Sequence, residues 1–444
     1  MKLNNKRTIM VGLAFLSICA FWQMYDNIVP LILTKTFHLN ETYSGLIMGA
    51  DNVCALFLLP FFGSLSDKTN TKMGKRMPYI LVGTVLAAVF MNLLPLFDNG
   101  YFENPTTGKL VAFVIVLGLL LISMGTYRSP AVALMPDVTP KPLRSKANAI
   151  INLMGAVGGI IYLGIAAVLY PNSKVNGLDH VNYQILFIVV AAIMAVSVIL
   201  LKATINEPKL VDENKKLENE HPEWNLAEDD GSGKEVLPPE VKKSLGFLLA
   251  SIALWFFGYN GVTTWFTTYV DQVMGQGLGG ASTCLLIATG GAIVSYIPIG
   301  ILASKIGRKK TIQIGIVTLA VCFGLGYFIT TMFDSINVIM FIVFAIVGFA
   351  WAAINVNSLP MVVEMCKGSD IGKFTGYYYT ASMAAQIVTP ALAGSLMRNI
   401  SYKVLFPYAA IFVALSFVTM LFVKHGDAKA EAKKGLEAFE DMDD

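Results

Sequence analysis

The chain has 444 residues, 55% of them apolar and only 14% charged, with a mean hydropathy of +0.61. Soluble domains carry about 25% charged residues, so the composition excludes a water-solvated globular protein and points to the lipid bilayer as a partner. The net charge of +3 is spread over short loop clusters, which excludes a nucleic-acid face.

In chain order, the first apolar run starts near Met10 and has no small-residue cleavage pattern behind it, so it reads as a retained anchor. Crossing the hydrocarbon core takes about 20 apolar residues. Runs of that kind lie near 10–33, 43–65, 79–97, 110–136, 147–170, 183–203, 245–270, 280–303, 311–331, 337–363, 373–397 and 403–424. They predict an all-α membrane protein with twelve transmembrane helices, and their continuity excludes the alternating strands of a β-barrel. Cys19, Cys54, Cys284, Cys322 and Cys366 fall mostly within these runs, form no CxxC, and read as small buried hydrophobes.

Lys and Arg set the orientation. With both termini inside, the inner segments hold 27 basic residues and the outer loops five, while Arg128 lies within span four. The expectation is a multi-pass protein of the cell membrane with both termini cytoplasmic. Residues 206–243 are polar, charged and punctuated by Pro and Gly, as a linker is. The predicted organisation is a six-helix half over 1–203, a cytoplasmic linker over 204–243, a second half over 244–424 and a cytoplasmic tail over 425–444.

The halves read as repeats. GSLSDKTNTKMGKRM (63–77) follows span two and GILASKIGRKKT (300–311) follows span eight; each has G-x-L-x-x-K and then a Gly before two basic residues. Asp137 to Lys146 after span four matches Glu364 to Lys373 after span ten, and YDN (25–27) in span one matches YNG (259–261) in span seven. The offsets of 237, 227 and 234 keep one order. Duplicated halves describe an alternating-access transporter.

Gly63, Leu65, Asp67, Gly74, Lys75 and Arg76 resemble the signature loop of the major facilitator superfamily, with a degenerate copy at Gly300, Gly307, Arg308 and Lys309. The resemblance spans nearly the whole chain and implies two pseudo-symmetric six-helix halves. The longer loop SDKTNTKMGKRMPYI resembles that of glycoside and sucrose-type sugar:cation symporters. PAVALMPDVT (130–139) followed by RSKANA (144–149) is similar to the fourth-helix end of sucrose transporters. The family's arginine in that stretch falls on Val132 here, and Arg128 lies one helical turn earlier. This resemblance makes Asp137 a protonatable acid.

Charges inside spans cost roughly 2.5–3.5 kcal/mol on insertion scales and mark cavities or partners. Asp26 and Asp51 lie at similar depth on consecutive antiparallel helices, so one reading is a proton-coupling acid pair. The other is that one of them pairs with Arg128, or hydrogen-bonds Asn27, Asn52 or a backbone group as packing glue. Asn260 stands at Asp26's place in the second half and cannot titrate. Arg128 reads as a cavity cation or as one side of a structural ion pair. Nine residues separate it from Asp137, so on a straight helix the two face opposite ways. Asp137 and Glu364 also fit a cytoplasmic gate formed with Asp67, Arg76, Arg144, Lys146, Arg308 and Lys373.

Aromatics interleaved with amides suit a sugar, whose C–H faces stack on rings while its hydroxyls take amide partners. The candidates are Trp22, Gln23, Tyr25 and Asn27 in span one, Tyr259, Asn260 and Trp265 in span seven, and Trp351 and Asn355 in span ten. Tyr377, Tyr378 and Tyr379 are consecutive and cannot all face inward, so packing or a lipid-facing belt suits them better. The histidines fall in loops, linker or tail, and no HExxH, GxSxG or P-loop occurs, so no enzyme is expected. The leading expectation is a monomeric proton-coupled carrier of a neutral disaccharide or glucoside, a small-molecule substrate. It needs no cofactor or metal beyond the proton gradient, or a sodium gradient in its place. A proton-coupled exporter of drugs or small metabolites is the alternative.

Overall fold

A computed structural model describes residues 3–175, 177–221, 237–365 and 371–427. Cys366, residues 222–236 of the expected linker and residues 428–444 of the expected tail lie outside the described residues. Fourteen α-helices are described: α1 Asn5–Lys35, α2 Glu41–Asp67, α3 Met77–Glu103, α4 Thr107–Val138, α5 Arg144–Leu169, the single turn α6 Asn172–Val175, α7 Gln184–Thr204, α8 Glu207–Glu220, α9 Pro239–Met274, α10 Leu278–Ile306, α11 Arg308–Met332, α12 Val338–Val363, α13 Ile371–Asn399 and α14 Leu405–Leu421.

Eleven of these are long and apolar enough to cross a bilayer. α13 is a further helix of 29 residues, made more polar by its Gly-Tyr-Tyr-Tyr-Thr turn and Gln386. The long helices are apolar around most of their girth, the pattern of helices not solvated by water. Val168, Val294 and Met332 are each about three-quarters exposed (74%, 76% and 76%) on helix flanks, side chains suited to lipid contact. The starts are set by local chemistry: the Asn4 side chain accepts from the Arg7 N–H, and Asn206 and Asn337 cap α8 and α12 in the same way.

The chain divides into two compact units. The first holds residues up to Leu39 and Ala50–Trp224. Within it, α1 packs on α5 and α7, and α3 packs on α4 and α7. The second holds Asn40–Gly49 together with the chain after Asn225. Within it, α9 packs on α13 and α14, and α11 packs on α12 and α14. Numbering the membrane helices within each half, the same four pairings recur: first with fifth, first with sixth, third with fourth and third with sixth. The repeat read in the loops is therefore a repeat of helix packing.

Candidate functional site

In the first unit, three helices bring the sequence-predicted charges together. Asp26 on α1 and Asp51 on α2 lie within electrostatic reach of each other, and Arg128 on α4 lies within reach of Asp51. Arg128 also stands over the Trp22 indole at 5.9 Å from the ring centroid, a cation–π arrangement. Tyr25, only 1% exposed, sits within reach of both acids. Asp51 accepts hydrogen bonds from the Asn52 backbone N–H (2.6 Å) and side-chain amide (2.8 Å). Asp26, Asp51 and Arg128 thus lie in one cluster, in which Asn52 also serves Asp51.

The Trp22 Nε1 and Tyr25 hydroxyl are buried without a hydrogen-bond partner among the described residues. Buried polar groups are ordinarily satisfied, so these are two donors open to a polar ligand. Asn27 is fully buried next to Asp26, and Gln23 is half-buried on the same helix.

In the second unit, Tyr259 of α9 and Trp351 of α12 stack face to face, with centroids 3.6 Å apart and planes 3° from parallel. Phe256 meets the Trp351 ring edge-on at 5.4 Å. The side-chain oxygens of Asn260 and Asn355 have no hydrogen-bond partner among the described residues. A flat aromatic slab with two unengaged amide oxygens is a surface a polyol can use. Trp265 corrects the sequence expectation: it is fully buried, and its Nε1–H donates to the Pro390 carbonyl at 2.9 Å, so it fastens α9 to α13 and offers a substrate nothing polar.

At the α2–α3 turn, Arg76 (6% exposed) joins both acids of the predicted gate: Nη2 lies 2.5 Å from Asp67 and Nε donates to Asp137 at 2.8 Å. Nη1 donates to Ser66 Oγ at 2.5 Å. Burial works against the guanidinium's charge, but the bonds and charges of Asp137 and Asp67 outweigh it and hold its pKa above the ordinary value. Asp137 is therefore engaged by Arg76. Arg144 reaches Glu218 at 3.4 Å, and Lys146 and Lys373 are exposed in the first turns of α5 and α13. In the second unit, Arg308 and Glu364 form the corresponding ion pair.

Two further acids in these turns escaped sequence reasoning. The Glu207 carboxylate accepts from the backbone N–H groups of Lys75, Arg76 and Met77 at 2.6–2.9 Å, capping α3. Asp427 accepts from the Lys309 N–H at 2.8 Å, at the start of α11. Each sits beside a left-handed glycine, Gly74 (φ +107°) or Gly307 (φ +92°), where a Cβ would strain the backbone and run into that carboxylate. Both acids follow the last membrane helix of their half, and that shared position is the signal that could have found them.

Duplicated helical bundles with buried charge and aromatic–amide clusters define a membrane carrier. The Major Facilitator Superfamily pattern matches residues 11–297 and 277–440, and the chain belongs to that family. It thus has the family's fold of twelve membrane helices in two pseudo-symmetric halves, and the family consists of transporters, not enzymes. The chain is 30% identical to Sucrose transport protein SUC3 of Arabidopsis thaliana over 139 residues, 29% of this chain and 23% of that protein. It thus spans only about a quarter of that relative's length. Multidrug resistance protein 2 of Bacillus subtilis (strain 168) is 23% identical over 440 residues, covering 96% of this chain and 98% of that one. Among solved structures, a D-xylose-proton symporter superposes with a TM-score of 0.67 at 14% identity, covering 95% of this chain and 98% of the other.

Proposed function

We propose that the chain is a secondary active transporter that takes up a neutral sugar, a disaccharide or glucoside, together with protons by alternating access. The observation that carries this reading is the Tyr259–Trp351 slab with the open amide oxygens of Asn260 and Asn355. Neutral rings and amides suit hydroxyls and C–H faces better than they suit a formal charge. The Asp26–Asp51–Arg128 cluster supplies the coupling, and Trp22, Gln23, Tyr25 and Asn27 supply further polar contacts. Asp67, Arg76, Arg144, Lys146, Arg308, Glu364 and Lys373 form the cytoplasmic gate. In this reading the protein is a monomer in the cell membrane with both termini cytoplasmic, and its halves are 1–203 and 244–424. The local likeness to sucrose transport proteins supports the sugar.

A second reading, proton-coupled export of drugs or small metabolites, is favoured by the match to the multidrug resistance protein along nearly the whole chain. Proteoliposomes separate the two. The first reading expects labelled sucrose or maltose to accumulate under an inward proton gradient and not under sodium alone. Proton-driven movement of a lipophilic cation with no sugar uptake would establish the second.

A further inference from the structure

Asp98 lies near the end of α3 remote from Arg76, about 30 Å along the helix at 1.5 Å per residue, and is fully buried. Neither of its oxygens makes a hydrogen bond of ordinary length and angle among the described residues, although the Thr36 hydroxyl lies within reach of the carboxylate. His180, from the loop between α6 and α7, fills the space beside it with its side chain 10% exposed. The ring stacks on Phe102 at 4.5 Å and 15°. Nε2 lies 2.8 Å from Asn99 Oδ1 and 3.9 Å from Asp98 Oδ2, and Nδ1 lies 3.3 Å from the Thr36 hydroxyl.

The charged groups around the ring are Asp98 on α3 and Lys35 on α1. Nearby, Lys109 of α4 binds the carbonyls of Gly100 and Asn104, and Asp179 of the loop itself is exposed. Thr36, the residue that caps the end of α1, stands ten residues beyond Asp26, about 15 Å along the helix direction, so the pair is separate from the acid cluster.

We propose that Asp98 and His180 form a second proton-binding site that holds one proton between the two side chains and fastens the 177–183 loop to α1 and α3. An ionised carboxylate buried with only a loosely placed hydroxyl in reach costs several kcal/mol. One shared proton removes that cost, whether it rests on the imidazole or on the carboxyl. Burial and the Lys35 charge push the His180 imidazole below its ordinary range, so a second proton is disfavoured in the docked loop. When the loop is undocked, the first proton binds an ordinary imidazole, near pH 6.5. The docked pair binds it more tightly, so docking is fully favoured below about pH 6.5 and is lost as pH rises through the pair's docked value. Replacing Asp98 by Asn leaves only the depressed histidine, which reverses the sign: docking is then lost as pH falls through about 6.5.

Hydrogen exchange of the 177–183 amides, corrected for intrinsic rate, tests this on the full-length protein in lipid nanodiscs between pH 5 and 9. Protection in the parent should fall with rising pH, on the order of tenfold for each pH unit of extra proton affinity in the docked pair. In Asp98→Asn it should rise over the same range, and in His180→Gln the alkaline loss should begin at lower pH than in the parent. A flat parent profile, or the same profile in parent and Asp98→Asn, overturns the proposal.

Discussion

The two halves share one set of helix pairings but differ in the chemistry they place at matching positions. At the place where α1 carries Asp26, α9 carries Asn260. The first unit gathers two acids and an arginine across three helices, whereas the second gathers a stacked Tyr–Trp pair and amides. Duplication fixes a geometry, and divergence then puts ionisable groups in one copy and neutral rings and amides in the other. In the proposed function, the first half senses the ion and the second holds the substrate.

The largest expected effect breaks a feature both halves share. Arg76→Ala leaves Asp137 and Ser66 without their donor; because Asp67 and Asp137 stay 60% and 30% exposed, the loss falls below that of a fully buried pair, at roughly 1.5–3 kcal/mol for hydrogen bonds to charged groups. Thermal unfolding in detergent should show a clear loss, and Arg76→Lys, which cannot span Asp67 and Asp137 with a planar fork, should recover only part of it. An unchanged melting profile in Arg76→Ala would remove the ion pairs from the account of the gate.

Next is the charge of the first half alone. One proton moving down one pH unit supplies about 1.4 kcal/mol, a tenfold accumulation. Asp51→Asn should abolish that factor in gradient-driven uptake while the protein remains folded. The aromatic side of the comparison is sharpened by Trp351→Ala, which should weaken sugar binding by about 0.5–1.5 kcal/mol beyond lost area. Its accumulation ratio at saturating sugar should stay close to that of the parent. The smallest effect is expected of Glu207→Gln, which keeps an acceptor for the Lys75–Met77 amides but loses its charge, a change of about 1 kcal/mol in unfolding.

Much of this was legible in the sequence. Apolar runs of span length fixed the helices, and matching depth on antiparallel spans was enough to bring Asp26 to Asp51. Other features depend on contacts that leave no periodic trace. Glu207 and Asp427 read as ordinary acids of linker and tail until the turns at Gly74 and Gly307 fold against them. Trp265 looks like its neighbours Tyr259 and Asn260 in sequence, yet the approach of α13 engages its indole N–H with a backbone carbonyl. His180 reads as a loop residue because Asp98, its buried neighbour, lies more than 80 positions away on another element. Asp137 is held in an ion pair with Arg76, a contact that no spacing rule foretells.

The division of labour is tested most directly by measuring, on one preparation, sugar counterflow and proton-driven sugar accumulation in proteoliposomes bearing Asp26→Asn or Asp51→Asn. The account predicts that counterflow persists, because the Tyr259–Trp351 site is intact, while accumulation falls to equilibration. Loss of counterflow and accumulation together, or full accumulation in both variants, would contradict it.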